Sequence, residues 1–171
     1  MAAARATADD PQAQAAVALV LARLAPPPHT EAVAAGSTTP VLIGSLSLQG
    51  GGAEVTLAAA AALQHLVGTA KGRADLTAGG IAPCVRLLQP SALTMLPVEQ
   101  AALHLHALAV LEALAVEPGG GAAVAAAAPW AALTQLIAGG AGGHSAADLP
   151  PVALRLAHAL ATDGACCRGP P

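Results

Sequence analysis

The chain has 171 residues, enough for one domain, and its 7 Lys and Arg against 10 Asp and Glu give a net charge of −3. Because the few basic residues are scattered, no cluster of cations is available to neutralise phosphates, which argues against nucleic acid as a partner. Hydrophobic residues make up 55% of the chain but aromatic residues only 1%, so we expect Ala-rich helices around a thin core of Leu and Val.

The hydrophobicity of the chain does not predict a membrane span. The longest apolar run, Ala101–Val116, is interrupted by His and Glu and is shorter than the roughly 20 residues that cross a bilayer. No secretory signal is predicted, because Asp9 and Asp10 stand where a basic segment should precede the apolar stretch 13–25. The three cysteines form no disulfide framework, and Cys84 has the apolar neighbours of a core residue. We therefore expect a reducing, intracellular location, cytoplasmic or cytoskeletal.

The first helix is predicted from Asp9 to about Ala25. Acidic residues and Pro11 are typical of a helix N-terminus, and the three prolines at 26–28 end the helix. Apolar residues at 17, 20, 21 and 24 recur at helical spacing and form one apolar side. We expect the Ala-rich residues 1–8 to be disordered.

Three groups of helices follow, each in the order short, medium and long. The predicted spans are 29–35, 39–48 and 53–67; then 71–78, 81–89 and 97–116; then 122–128, 129–138 and 149–162. Gly36 is a predicted C-terminal cap, and Pro40 and Pro83 fit the first turn of a medium helix. The glycines at 50–52 and 119–121 are interpreted as flexible connections, and the tail 163–171 is predicted to be disordered.

The first helix and the three long helices end on nearly the same Leu-x-x-Leu phrase, with Ala in place of the first Leu in the last copy. The final leucines, at separations of 42, 48 and 46 residues, are Leu24, Leu66, Leu114 and Leu160. Among the medium helices, Pro40 matches Pro83 at a distance of 43, and 83–88 matches 132–137 at 49. A period in the forties is typical of a helical solenoid.

The stretch ALQHLVGTAKGRADLTAGGIAPCVRLL, residues 62–88, resembles the armadillo repeat. It is similar to the end of that family's helix 3, a charged short helix 1, a Gly-Gly hinge at 79–80 and an apolar helix 2 ending in Leu-Leu. HEAT repeats, the nearest competitor, have two helices per repeat and lack this hinge. The resemblance covers residues 9–162 as one repeat domain. It implies an all-α fold, a right-handed armadillo-like α-solenoid of about three to four repeats.

The chain departs from the armadillo proteins that bind extended peptides. Those proteins carry an Asn one residue before the last Leu of helix 3, where this chain has Arg23, His65, Ala113 and Ala159. They also carry a peptide-stacking Trp four residues earlier, where this chain has Leu19, Ala61, Ala109 and Arg155. Since this recurring row of Asn and Trp side chains is absent, the resemblance implies a smooth, mostly apolar groove along the long helices.

Four side chains are candidates for partner binding. Arg23 and Arg155 either contact a partner or are solvated, and His65 contacts a partner or hydrogen-bonds the neighbouring repeat. Trp130, the single aromatic residue, either packs between repeats or anchors an interface if it is exposed.

No metal site or catalytic centre is predicted. His104 and His106 lie about 200° apart on a helix, so they do not chelate one ion from the same face. We expect one of them to cap or hydrogen-bond a loop and the other to be exposed. The sequence has no phosphate-cradling Gly-Lys-Ser/Thr motif and no recognisable Ser, Asp and His cluster. We therefore predict no cofactor, no metal, no small-molecule substrate and no enzymatic activity.

The favoured hypothesis is a non-enzymatic scaffold, a small structural subunit that binds other proteins in a larger complex. It rests on apolar, weakly charged faces at the two ends of the predicted repeats, Val17–Leu24 and Leu149–Leu160. One alternative is a peptide-binding adaptor of the transport or signalling type that uses the concave helix-3 groove. Another is a membrane-surface adaptor attached through the pair Cys166 and Cys167. The bias of the composition toward Ala, Gly, Pro and Arg is typical of GC-rich genes, as in some green algae. Armadillo proteins of those algae include subunits of the ciliary axoneme, so the axoneme is one hypothesis for the larger complex.

Overall fold

The computed structural model describes residues 11–47, 52–89, 95–139 and 149–162, and the regular structure in these ranges is entirely α-helical. The helices are α1 (Pro11–Leu24), α2 (Thr30–Ala35), α3 (Thr39–Ser47), α4 (Gly52–Leu66), α5 (Ala70–Gly79), α6 (Ile81–Leu87), α7 (Pro97–Ala115), α8 (Gly120–Ala126), α9 (Trp130–Gly139) and α10 (Leu149–Thr162). The all-α prediction is confirmed, and the helix limits that lie inside these ranges match the predicted ones to within two residues, whereas the predicted start at Asp9 lies outside them. The predictions for 1–8 and 163–171 fall outside the described residues.

Local sequence signals account for several of the helix limits. Pro97 begins α7, and the Glu99 carboxylate accepts a hydrogen bond of 2.9 Å from the backbone N–H of Leu96 just before it. Thr69 caps α5, because its Oγ1 accepts a hydrogen bond of 3.0 Å from the N–H of Gly72. These contacts satisfy backbone donors that a helix N-terminus otherwise leaves unpaired.

The helices pack in the order in which they occur along the chain. Among the long helices, α1 contacts α4, α4 contacts α7, and α7 contacts α10. Each medium helix packs against the long helix that follows it, so that α3 lies on α4, α6 on α7 and α9 on α10. The largest fully buried side chains are all leucines: Leu42, Leu63, Leu66, Leu76, Leu88, Leu103, Leu108, Leu111, Leu114, Leu133, Leu156 and Leu160. The core therefore has the Leu-based composition that the sequence predicts.

Two glycines permit the close turn from a long helix into the next short helix. Gly72 in α5 and Gly120 in α8 each follow the final leucine of a long helix, Leu66 or Leu114, by six residues. A Cβ at either glycine would collide with the carbonyl oxygen of that leucine, so only glycine fits. The interpretation of 119–121 as a flexible connection is therefore wrong for Gly120 and Gly121, which are buried and lie in the first turn of α8.

The turns between short and medium helices place alanine or serine in the left-handed region. Ser37 has φ of 56° and Ala128 has φ of 54°, and each lies two residues after its short helix ends. Gly36 follows α2 as predicted, but its φ of −71° is not left-handed. The left-handed residue of that turn is Ser37, where a Cβ is tolerated only at a conformational cost.

Candidate interaction surface

The helices α1, α4, α7 and α10, which we call the long helices, can be compared position by position when their sequences are aligned on their final leucines. In α1, Val17, Val20 and Leu24 are 41%, 57% and 44% exposed. The residues at the same three positions of α4, α7 and α10 are all buried: Ala59, Ala62, Leu66, Ala107, Val110, Leu114, Ala153, Leu156 and Leu160. This side of a long helix is therefore buried wherever another long helix precedes it in the chain.

A second side of the long helices, about 110° around the helix axis from the first, shows the reverse pattern. Six residues before the final leucine, Ala18, Ala60 and Leu108 are buried in α1, α4 and α7, whereas Leu154 in α10 is 59% exposed. One residue after the final leucine the same contrast recurs, with Ala25, Val67 and Ala115 buried and Ala161 exposed. This side is buried wherever another long helix follows.

The medium helices repeat this contrast. Val41 in α3 is 41% exposed, but its counterparts Cys84 in α6 and Leu133 in α9 are buried. Cys84 is thus the core residue that the sequence predicts, and burial raises the pKa of its thiol to about 12. Ile137 near the end of α9 is 36% exposed, whereas its counterparts Ser45 and Leu88 are buried.

Two apolar surfaces result from these contrasts. We name Val17, Val20, Leu24 and Val41 the N-terminal end face, and Ile137, Leu154 and Ala161 the C-terminal end face. Within the described residues these faces hold six of the nine exposed large hydrophobic side chains, the other three being Leu96, Val98 and Val116. The apolar face predicted at Val17–Leu24 agrees with this arrangement. The one predicted at Leu149–Leu160 is largely buried, and its exposed apolar part is Leu154.

The four predicted partner-binding residues do not form one cluster of free side chains. Arg23 and His65 are exposed near the ends of α1 and α4. Arg155 on α10 forms two hydrogen bonds with Glu112 on α7, Nε to Oε1 at 2.8 Å and Nη2 to Oε2 at 3.3 Å. These bonds raise the pKa of Arg155. Trp130 is partly buried and packs against the core.

The two histidines of α7 differ from the expectation that one caps a loop and the other is exposed. His106 is partly buried and hydrogen-bonds the side-chain oxygen of Gln64 on α4 through Nδ1. His104 is buried, and its Nε2 has no hydrogen-bond partner among the described residues. Burial lowers the pKa of both side chains, and the charge of nearby His65 lowers that of His106 further.

Four polar side chains of the long helices connect neighbouring long helices. Gln64 and His106 link α4 to α7, and Glu112 and Arg155 link α7 to α10. A third cross-link joins the Nε of Arg73 on α5 to Glu117, in the turn after α7, at 3.0 Å. These groups are thus engaged inside the chain rather than held ready for an extended peptide.

Three further observations bear on the type of site. No group of three or more His, Cys, Asp or Glu side chains in the described residues could hold a metal ion. No single helix there is long and apolar enough to cross a membrane, although the bent pair Gly120–Ala126 and Trp130–Ala138, at 84°, passes by length and composition alone. Cys166 and Cys167 lie outside the described residues.

Comparison of the chain with protein-family models, with curated proteins and with solved structures finds no match. The function is therefore inferred from the residues and contacts of this chain.

Proposed function

We propose that this chain is an armadillo-type α-solenoid that acts as a non-enzymatic scaffold by binding protein through its two end faces. The solenoid is supported by the short, medium and long helix order that occurs three times, and by the successive contacts of α1, α4, α7 and α10. In such an arrangement each repeat buries the apolar side of its neighbour, and the first and last repeats each have one side left over.

The observation that carries this proposal is that six of the nine large apolar side chains exposed in the described residues lie on the two end faces. Val17, Val20 and Leu24 occupy positions that are buried in each of the other long helices, and Leu154 does so on the second side of the helix. Terminal repeats that meet water normally carry polar side chains at such positions. Apolar side chains there are typical of a surface that another protein covers.

The size of the effect is consistent with a binding surface. Full burial of a Val or Leu side chain stabilises by roughly 1.5–3 kcal/mol. Because the side chains of the N-terminal end face are about half exposed, covering each would contribute on the order of 1 kcal/mol. Four such side chains give a useful part of a binding free energy, which matters for a chain whose Ala-rich helices bury little area.

The peptide-adaptor alternative has less support. At the positions where peptide-binding armadillo proteins carry Trp or Asn, this chain offers few free polar groups. Arg155 is hydrogen-bonded to Glu112. In α7 and α10 the positions matching the Asn are occupied by Ala113 and Ala159. Arg23 and His65 alone provide no recurring row of hydrogen-bonding groups along the long helices.

The test is affinity purification from the source cells with the full chain and with three variants whose replaced side chains are similarly exposed in the unmodified chain. Val20→Glu and Leu154→Glu place a charge on the N-terminal and C-terminal end faces, and Val98→Glu places one at the start of α7, at a residue of neither face. We expect proteins that co-purify with the unmodified chain and with Val98→Glu to be lost with Val20→Glu or Leu154→Glu. Retention of every co-purifying protein by both end-face variants would contradict the proposal.

A further inference from the structure

The two end faces correspond to the two halves of one recurring interface. At each internal contact, α1 with α4, α4 with α7 and α7 with α10, the earlier helix buries the positions six before and one after its final leucine. The later helix buries the positions seven and four before its final leucine, together with that leucine. Within the described residues, the C-terminal end face presents the first set with no long helix packed on it from the following side, and the N-terminal end face presents the second set with none packed on it from the preceding side.

We propose that the C-terminal end face of one copy of this chain binds the N-terminal end face of a second copy, so that the chains stack head to tail. In this contact Leu154 of one copy takes the position that Leu108 has in α7 relative to α10. Val17, Val20 and Leu24 of the second copy take the positions of Ala153, Leu156 and Leu160. This inference rests on the proposed scaffold function and identifies one partner as the chain itself.

The medium helices extend the same register across the second layer. Val41 on the N-terminal end face corresponds to Cys84 and Leu133, which are buried where another repeat comes before. Ile137 on the C-terminal end face corresponds to Ser45 and Leu88, which are buried where another repeat comes after. Among the medium helices, α3 contacts α6, and the exposure of Val41 and Ile137 adds to the two faces that the long helices define.

Opposite faces, rather than two like faces, are expected to meet. In each internal pair of contacting long helices, the earlier helix carries the buried positions of the first set and the later helix carries those of the second set. A two-fold dimer would instead join two identical faces and leave the other face of each copy exposed. The end faces consist of uncharged residues and the net charge is only −3, so electrostatic repulsion between copies is small.

After each head-to-tail contact forms, the assembly still has one free N-terminal end face and one free C-terminal end face, because every added copy brings one of each. Heterologous contacts of this sort form rings or open filaments. The mass of the purified chain is therefore expected to increase with its concentration and to pass that of a dimer.

The experiment measures the mass of the purified full chain by light scattering over a concentration series up to the solubility limit. We expect Val20→Glu and Leu154→Glu, each tested alone, to remain monomeric, because a buried unpaired charge weakens the contact by at least about tenfold. Val98→Glu, at the same exposure of 59% as Leu154, should assemble like the unmodified chain. Far-ultraviolet circular dichroism checks that each variant is folded, and Val41→Glu and Ile137→Glu replace any that is not.

Mixing the two end-face variants provides the decisive result. Val20→Glu keeps an intact C-terminal end face and Leu154→Glu keeps an intact N-terminal end face. An equimolar mixture should therefore form a one-to-one dimer that stops at two chains. A mixture that stays monomeric, a Leu154→Glu variant that dimerises alone, or an unmodified chain that is monomeric at all concentrations would each overturn the proposal.

These results separate the inference from the proposed function. If the purified chain is monomeric but Val20→Glu or Leu154→Glu loses a co-purifying protein, the scaffold function stands and head-to-tail stacking fails. If the chain is monomeric and both variants keep every co-purifying protein, both fail.

Discussion

Replacing Gly72 by alanine tests whether the junctions between long and short helices determine the packing. A Cβ at this position collides with the carbonyl oxygen of Leu66 and lies 2.7 Å from its carbonyl carbon and 2.8 Å from Thr69 Oγ1. Ordinary contacts of a Cβ begin at 3.4 Å, so α5 has to move away from α4 by more than about half an ångström. The obstacle is backbone, which cannot rotate away as a flexible side chain does.

The net loss of stability is the difference between two terms. Overpacking of this kind lowers the free energy of unfolding by about 3 kcal/mol. The better helix propensity of alanine raises it by about 1 kcal/mol. We therefore expect Gly72→Ala to lower the free energy of unfolding by about 2 kcal/mol, and Tm by about 4–8 °C for a chain of this size. Gly44 is the matched control, because it lies inside α3 and a Cβ added there would have no atom within 4 Å. Gly44→Ala should stabilise by about 1 kcal/mol.

Urea denaturation followed by far-ultraviolet circular dichroism measures both variants at one protein concentration, since assembly would otherwise change the midpoint. Equal effects of Gly72→Ala and Gly44→Ala on the free energy of unfolding would refute the close approach of α5 to Leu66. Gly120→Ala repeats the test at the next junction, and we expect the same sign there.

Three smaller predictions use the same denaturation assay. Ala128→Gly should stabilise by up to about 1 kcal/mol, because φ of 54° is strained for alanine; no change would contradict the left-handed turn. Thr69→Ala should destabilise by about 1 kcal/mol through loss of the cap on α5, and a neutral result would contradict that role. The pKa of buried His104 lies below its usual value of 6.5. Below about pH 6.5 the unfolded chain therefore binds a proton at this residue that the folded chain does not. The free energy of unfolding should fall as the pH drops through this range. His104→Leu should weaken this fall, and an unchanged pH profile would refute the assignment.

Much of the fold could be predicted because glycine and proline separate the helices in this sequence. The prolines at 26–28 end α1 and Pro97 begins α7, and neither signal depends on tertiary packing. What could not be predicted is which glycines are constrained by neighbours. Gly120 and Gly119 look alike in sequence, yet Gly120 lies against Leu114, whereas Gly119 has φ of 80° and a Cβ added to it would have no atom within 4 Å.

The candidate site was partly predictable for a related reason. Helical spacing identifies an apolar side of α1, but spacing alone does not say which apolar side of α10 is covered by α7. Leu156 and Leu160 are buried there, and the exposed residue is Leu154. Val41 and Ile137 were missed, although the alignment of Val41 with Cys84 and Leu133 contains the signal: an apolar position repeated in every unit is exposed only in a terminal one.

The distribution of polar and apolar side chains explains why the ends, rather than the long-helix surface, are the best candidate for binding. Gln64 with His106 and Glu112 with Arg155 each join two neighbouring long helices. Exposed pairs of this kind contribute at most about 1 kcal/mol each, so their main effect is to occupy groups that a peptide would need. About half of each side chain on the N-terminal end face, by contrast, is covered by no other described part of the chain, and this exposed part gains free energy only when another surface covers it. A partner that binds this chain is therefore expected to be recognised by apolar shape, with little dependence of the affinity on salt.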